Sequence, residues 1–489
     1  MRLLFASSEV FPLAKTGGLA DVSASLPRAL AALGHEVRIA LPAYPAARAA
    51  LAEPRKLGPV PGWSGVSLIG ARLPGTELPV VLADAPDLFE RPGGPYGDAS
   101  GHDWPDNAER FHGFARALCA IALDRAGLGW RPELVHCNDW QTGLVPALLS
   151  REAVRPATVF TIHNQAYQGL FDRAQFDALD LPEDWWTPNA LEFYGGFSFL
   201  KAGLVFADQL TTVSPTYARQ LLEPEHGCGL DGLLRNRRDD FTGILNGIDA
   251  EVWNPAADPH LTCPYDRATV DAGKRTNKMA LQRELGLPVA NEVPLLGLVG
   301  RLVEQKGIDL VVEVIEAWRD RPLQWVLLGS GDAAWEQRLA ALAVACPERV
   351  AVRIGYDEGL AHRIEAGADF FLMPSRFEPC GLNQMYSQRY GAIPVVHRTG
   401  GLADTVVDVF ARHDPDATAT GLVFDEPTAA ALAQALERGL SLYRKPAAWQ
   451  ALRRNAMAGD FSWRRSAEQY LAVYRRAIAV CASRKPVAN

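Results

Sequence analysis

Cysteine is scarce and unpatterned in this 489-residue chain: seven residues, at 119, 137, 228, 263, 346, 380 and 481, with no Cys-x-x-Cys pair. An odd, scattered set fits neither a disulfide framework nor a zinc site. Long apolar runs are also absent. No stretch reaches the roughly 20 residues needed to cross a bilayer, and the opening MRLLFASSEVF lacks the apolar core of a signal peptide. The expected compartment is the reducing cytoplasm, with no membrane partner. Excess positive charge is missing as well. Forty-nine Lys and Arg against 57 Asp and Glu leave a net charge of −8, the wrong sign for sequence-independent nucleic-acid binding, so no nucleic-acid partner is expected. Any charge that binds phosphate must be local.

What remains is globular. Apolar residues make up 48% and charged residues 22% of the chain, and this length is comfortable as two large α/β domains. The run LLFAS (3–7) reads as a buried strand, followed by a glycine loop, a helical pattern over 21–33, Gly34 as its stop and a second strand EVRIAL (36–41). That succession opens a parallel α/β sheet. Further strand-like runs are VVLAD (80–84), ELVHC (133–137), TVFTI (158–162), QLTTV (209–213) and GILN (243–246), with helical patterns over 106–126 and 140–151. The pattern loosens over 249–293. A fresh series then begins with LLGLVG (295–300), WVLLG (325–329), VAVRI (350–354), FFLMP (370–374), IPVV (393–396) and GLVF (421–424). We expect two doubly wound domains joined near residue 247. Ala467, Tyr470, Leu471, Tyr474, Ala477, Ile478 and Cys481 fall at helical spacing, which predicts an amphipathic helix over 466–481 in need of a partner surface.

One heptad recurs. Lys15-Thr16-Gly17-Gly18-Leu19-Ala20-Asp21 returns as Arg398-Thr399-Gly400-Gly401-Leu402-Ala403-Asp404, each copy between a strand and a helical pattern. Paired glycines let the backbone approach a ligand, and the following helix offers free N–H groups and the positive end of its dipole. The loop is an anion site or an ordinary tight turn. It matches neither the dinucleotide fingerprint nor the Walker loop. Arg301 and Lys306, in GRLVEQKG, directly follow a strand. At the carboxyl ends of an open α/β sheet they can clamp a diphosphate, or stand as surface charge paired with Glu304. Glu378, in Ser375-Arg376-Phe377-Glu378-Pro379-Cys380-Gly381-Leu382, also follows a strand. It either accepts hydrogen bonds from sugar hydroxyls or serves as a helix N-terminal charge. Cys380 has no base or metal partner in sequence, which assigns its backbone rather than its thiol. His163, in Thr161-Ile162-His163-Asn164, and Asp139, in His136-Cys137-Asn138-Asp139-Trp140, end two further strands. Each is a ligand contact or a structural group, a helix cap in the case of Asp139.

Together with Asn246-Gly247-Ile248-Asp249, Pro95-Tyr96 and Trp104-Pro105-Asp106-Asn107, these motifs occur in an order that resembles the bacterial glycogen synthases and plant starch synthases, the ADP-glucose-dependent α-1,4-glucan synthases. The similarity runs from about residue 2 to about 475. It implies the GT-B fold, two Rossmann-like domains facing a central cleft: residues 1–247 on the acceptor side, 248–460 on the nucleotide-sugar side, and 461–489 as a helix crossing back to the first domain. It also implies transfer of glucose from ADP-glucose to the non-reducing end of an α-1,4-glucan such as glycogen, with retention at the anomeric carbon. No cofactor and no metal are implied, since ADP-glucose is a substrate. Carried over by position, Lys15, Gly18, Arg301 and Lys306 attend the diphosphate, and Gly17 belongs to the donor site. Glu378 with Cys380, Gly381 and Leu382, and the second loop Thr399-Gly400-Gly401, attend the donor sugar. His163, Asp139 and Asn246 line the sugar site, Tyr356 stacks on adenine, and Glu9 and Tyr96 lie on the acceptor side. His163, Arg301, Lys306 and Glu378 are the expected catalytic residues. Related retaining transferases place a second Glu eight positions after the first; here that position is Tyr386, so ribose recognition must differ. Rival readings are a GT-B transferase using UDP-glucose, a phosphorylase carrying pyridoxal phosphate, and a non-enzymatic glucan-binding protein.

Overall fold

The computed structural model describes residues 1–98, 100–410 and 418–483. The chain forms two compact units, Met1–Gly247 together with Trp463–Asn489, and Ile248–Ser462. Residues 484–489 of the expected crossing segment lie outside the described residues.

The first unit opens with β1 (Arg2–Ala6), β2 (Glu36–Pro42), β3 (Arg55–Pro59), β4 (Ser67–Arg72), β5 (Pro79–Asp84), β6 (Leu134–Asn138) and β7 (Ala157–Ile162). Three short strands, β8 (Leu170–Phe171), β9 (Glu192–Phe193) and β10 (Gly196–Ser198), make a separate antiparallel sheet. Strands β11 (Gln209–Thr212) and β12 (Phe241–Gly243) complete the large sheet, in the order β12-β11-β7-β6-β1-β2-β5-β4-β3. It is parallel except at β4, which runs antiparallel to both β3 and β5. Every residue of β6 and β7 is buried, as strands covered on both faces require.

Two sequence expectations shift, and one pair of strands goes unanticipated. The β3–β4 edge was not legible because β3 (RKLGP) is mostly exposed and has no apolar period. The run GILN is strand only at Gly243: a Cβ there would meet the Ser214 carbonyl at 2.3 Å, and the ladder with β11 ends at that residue. The helical pattern over 140–151 splits into a 3₁₀ turn, Trp140–Thr142, and a helix, Leu144–Ser150. At the break, a side chain on Gly143 would lie 1.9 Å from the Phe199 carbonyl, so the neighbouring helix Phe199–Phe206 packs directly on its backbone.

The second unit carries β13 (Leu295–Val299), β14 (Gln324–Gly329), β15 (Val350–Ile354), β16 (Phe370–Met373), β17 (Ile393–His397) and β18 (Leu422–Phe424). All are parallel, in the order β15-β14-β13-β16-β17-β18. Alternation along the strands sorts their side chains into two cores. Trp325, Leu327, Phe370 and Leu372 join one face, while Val326, Leu328, Phe371 and Met373 join the other. Among the described residues no helix is long and apolar enough to cross a membrane.

The final helix, Trp463–Ser483, belongs to the first unit and packs on β7 and on the helix Gly18–Ala32. Ala467, Tyr470, Leu471, Tyr474 and Ala477 are buried, as their spacing predicts, each large apolar group contributing about 1.5–3 kcal/mol. A hydrogen-bond chain fixes the docking. Tyr474 hydroxyl meets His136 Nδ1 at 2.7 Å, His136 Nε2 meets Thr161 Oγ1 at 2.6 Å, and Thr161 meets Thr211 at 2.5 Å. His136 is therefore a structural group. Burial lowers its pKa to about 3, so it stays neutral in the folded chain.

The unfolded chain takes up a proton at this imidazole near pH 6.5 and the folded chain does not. Its contribution to stability is whole above that pH and is lost as pH falls from about 6.5 toward about 3. Tyr474→Phe leaves a buried imidazole nitrogen unpaired and should cost about 1–3 kcal/mol; Tyr474→Ala should cost about 3–5 kcal/mol. Urea unfolding of the three proteins at pH 7.5 checks both values.

Candidate active site

The first sheet changes direction between β1 and β6: the chain leaves β1 for β2 on one side and later continues outward from β6 on the other. Polar ligands of open parallel sheets bind outside the carboxyl ends at such a point. There β1 delivers the buried residues Ser7, Ser8 and Glu9, β6 delivers Asn138 and Asp139, and β7 delivers His163.

Glu9 is buried and fully engaged. It accepts hydrogen bonds from the Thr16 amide (2.5 Å), the Thr16 hydroxyl (2.6 Å), the Gly17 amide (3.1 Å) and the Tyr96 hydroxyl (2.5 Å). A carboxylate thus sits at the positive end of the helix Gly18–Ala32. The Gly17 N–H is therefore engaged by Glu9. What Gly17 offers is room, since a Cβ placed on it would have nothing within 4 Å. Lys15 Nζ pairs with Asp21 at 2.9 Å and lies over the Phe11 ring. Tyr96 is positioned through its backbone: Asn107 Nδ2 and the Trp104 amide both donate to its carbonyl, and Arg110 donates to the carbonyls of Leu88 and Pro95. The Pro95-Tyr96 and Trp104–Asn107 motifs are therefore two halves of one support. Burial, then the charge of Glu9, pushes the Tyr96 hydroxyl well up.

Asp139 sits in the left-handed region (φ 54°), where a side chain other than glycine is strained. It makes no side-chain helix cap. Its Oδ1 instead accepts the His163 amide at 2.7 Å. Burial raises the carboxyl to about 7, only partly offset by that hydrogen bond, so Asp139 changes charge near neutrality. His163 Nε2 lies 2.9 Å from Asn138 Oδ1, and Asn138 is oriented by its amide N–H on the Ala6 carbonyl. The proton therefore resides on Nε2 and leaves Nδ1 as an acceptor. Burial lowers the His163 imidazole to about 3, so it is neutral. Asn246 is buried, and its Oδ1 has no hydrogen-bond partner among the described residues.

In the second unit the same change of direction falls between β13 and β16. Arg301 follows β13 and is exposed, with Nη2 on Gln305 Oε1 at 3.1 Å. It does not pair with Glu304, which faces Arg376 instead. Lys306 Nζ contacts Glu378 Oε2 at 2.6 Å, and Ser375 Oγ donates to the same oxygen at 3.0 Å. The two loops are locked together. Arg376 forks onto Asp309, its amide donates to the Gln305 carbonyl, and Gln305 Nε2 donates to the Phe377 carbonyl. The turn at Gly307 presses against Pro374, leaving 2.2 Å for any Cβ.

Beyond Glu378, Gly381 adopts φ +71°. Gln384 holds this loop by donating to the carbonyls of Cys380 and Gly381 and to Thr405. The second copy of the heptad packs here too. A Cβ on Gly400 would lie 1.9 Å from the Glu378 carbonyl, and one on Gly401 2.1 Å from the Cys380 carbonyl. Thr399 is buried, Leu382 is half-buried, and Tyr356 is 75% exposed on the loop before the helix Glu358–Gly367, its hydroxyl on Glu358. Sequence reasoning passed over Asn138, Gln305, Asn383 and Gln384. Neutral amides carry no charge signature, although Asn138 and Gln305 lie inside motifs that were read and Asn383 and Gln384 directly follow one. Among the described residues no cluster of His, Cys, Asp or Glu is placed to hold a metal ion.

Residues 2–236 match the family described as starch synthase catalytic domain, and residues 286–455 match glycosyl transferases group 1. The chain is 56% identical over 479 residues to glycogen synthase 1 of Methylococcus capsulatus, covering 98% of this chain and 97% of that protein. It is 55% identical over 475 residues to the glycogen synthase of Cellvibrio japonicus, covering 96% and 98%. Among solved structures, the catalytic domain of starch synthase IV from Arabidopsis thaliana bound to ADP and acarbose superposes with a TM-score of 0.88 at 34% identity, covering 98% of this chain and 99% of that one.

The two copies of the heptad should respond differently to one methyl group. Gly17→Ala meets open space in extended backbone and should unfold within about 0.5 kcal/mol of the parent. Gly401→Ala drives a Cβ into a carbonyl and should lose about 1–3 kcal/mol. Chemical denaturation of the pair measures the contrast.

Proposed function

The chain belongs to the glycogen and starch synthase family, and from that membership we propose that Arg301, Lys306 and Glu378 at the second unit's change of strand direction carry its transfer of glucose from ADP-glucose to the non-reducing end of an α-1,4-glucan. It is a retaining glycosyltransferase of GT-B architecture. The observation that carries the residue assignment is that group itself: two cations and a carboxylate held by interlocked loops at the carboxyl ends of β13 and β16.

Breaking the sugar–phosphate bond builds negative charge on the departing diphosphate and positive charge on the anomeric carbon. Arg301, exposed and fork-shaped, and Lys306, a compact point charge, take up the former. Glu378 is held by Lys306 and Ser375 with Oε2 engaged, which suits it to accept a hydrogen bond from a donor-glucose hydroxyl. Cys380, Gly381 and Leu382 contribute backbone beside it, while Thr399, Gly400 and Gly401 buttress that loop from behind. Tyr356, exposed on its loop, offers a ring face to adenine. Neutral His163 presents Nδ1 as an acceptor for a sugar hydroxyl, and the buried Asn246 Oδ1 supplies another. Glu9 holds Tyr96 and the glycine loop in one arrangement, which shapes the acceptor side.

For the chemical step we favour front-face substitution, in which the leaving phosphate accepts the proton of the attacking hydroxyl. Asp139 is a weak nucleophile, since burial keeps much of it protonated near pH 7, and Glu378 is neutralised by Lys306. The competing double displacement requires an ester on one of these two carboxylates, so a glucosyl adduct at Asp139 or Glu378 in mass spectra would overturn the front-face reading. The reaction draws on no cofactor or metal in this reading. Seven cysteines outside any disulfide fit a reducing cytoplasm as its compartment.

Incorporation of labelled glucose into glycogen from ADP-glucose, with UDP-glucose as the comparison donor, tests the reading. Arg301→Ala or Lys306→Ala should each lower kcat/KM by about 10²-fold, the loss of about 3 kcal/mol of transition-state stabilisation. A glucan-binding protein without transferase activity would be indifferent to both. Asp139→Asn should remove an inflection near pH 7 from the activity profile, because the carboxyl it replaces titrates there.

A further inference from the structure

Position 386, eight residues after Glu378, holds tyrosine, and the structure gives that ring a definite task. Tyr386 is buried and stacks on Trp253, with centroids 3.7 Å apart and planes 10° from parallel. On its other face Trp253 stacks on His362, at 3.8 Å and 11°. The indole is thus the middle layer of a three-ring sandwich within the second unit. Around it the segment that follows Ile248 is tied down at several points. Arg389 Nε donates to the Trp253 carbonyl at 2.7 Å and Arg389 Nη2 to that of Ala250. Asp258 Oδ2 accepts from His362 Nδ1 at 2.7 Å and from the Tyr390 hydroxyl at 2.6 Å. Tyr265 donates to the Tyr390 carbonyl at 2.7 Å.

The two outer rings belong to different helices. His362 lies on Glu358–Gly367, whose first residue is two positions after Tyr356. Tyr386 lies on Asn383–Arg389, whose first residue directly follows the loop Glu378–Leu382. Asn383 also donates to the Val299 carbonyl at 2.7 Å, at the end of β13 and two residues before Arg301. The spacing of the outer rings therefore sets the spacing of the two donor-side segments at the heads of these helices.

We propose that Trp253 is a positioning residue for the donor nucleotide: as the shared layer between Tyr386 and His362 it fixes the segment bearing Tyr356 relative to the loop Glu378–Leu382. The proposal rests on the reading that the second unit binds ADP-glucose. It assigns to a residue of the 249–258 segment, and to tyrosine at position 386, control of donor affinity without contact to the donor. Face-to-face aromatic layers are stiff in separation, and removing the middle one leaves a gap of one ring thickness that the helices can close only by moving.

Steady-state kinetics and calorimetric titration with ADP test it in the full chain. Trp253→Ala should raise KM for ADP-glucose and Kd for ADP by tenfold or more, with kcat reduced less than threefold and KM for the glucan unchanged. Trp253→Phe, which restores a ring between the outer two, should recover most of the affinity, and Tyr386→Leu should weaken ADP binding where Tyr386→Phe does not. Leu339→Ala, a cavity in the core of the same unit, supplies the control for destabilisation. Unchanged ADP affinity in both Trp253→Ala and Tyr386→Leu overturns the proposal, as does an equal loss in Leu339→Ala. If Trp253→Ala does not fold, the Tyr386 pair and Trp253→Phe decide the matter by the same titration. Failure of the unmodified chain to bind ADP would overturn the functional reading instead.

Discussion

Burial of the parallel strands on both faces is the constraint from which the site follows. The side chains of β13 and β16 alternate into two apolar cores and those of β6 and β7 are all buried, so polar groups reach solvent only where the strands end. In each unit the first strand is central, and the chain turns outward on both sides of it. The carboxyl ends of β1 and β6, and of β13 and β16, are therefore places where backbone diverges and side chains can converge on a ligand. Glu9, Asp139, Arg301 and Glu378 all hang from such ends.

The groups gathered at the strand ends of the two units manage charge in opposite ways. The first neutralises what it buries: His163 and His136 are deprotonated by burial, Asp139 is held near half-protonation, and Glu9 is satisfied by four donors, two of them amides at a helix end. The second keeps its charges and pairs them, Lys306 with Glu378 and Arg376 with Asp309, while Arg301 stays exposed. The division suits the residue roles proposed above. Hydroxyl-rich acceptor and sugar groups call for neutral hydrogen-bonding partners, whereas a departing diphosphate calls for net positive charge that the chain as a whole does not carry.

The repeated heptad illustrates how the same residues acquire different work from different surroundings. In its first copy the glycines border open space, and the helix that follows runs for four turns with Lys15 paired to Asp21. In its second copy the glycines lie against the Glu378–Cys380 backbone, the helix is a short Gly400–Thr405, and Arg398 pairs with Asp425 instead. One loop leaves room for a ligand. The other packs a neighbouring loop into place.

The central strands, the break after residue 247, the final amphipathic helix and the charged and glycine-rich motifs were all legible in the sequence, because each leaves a local signature of period, composition or spacing. The edge strand β3 was not, since an exposed edge needs no apolar period. The supports were also hidden: Asn138 orienting His163, Gln305 and Gln384 clasping the loop that carries Glu378, Tyr474 reaching His136 across 338 positions of chain, and Trp253 between two rings. The sequence by itself determined which chemistry the chain carries, because charge, glycine and strand ends are properties of short segments. Only the tertiary structure decided which groups are neutral, which amides are already taken and which rings set the spacing of the site. Those depend on burial and on partners far away in the chain, and no local pattern records them.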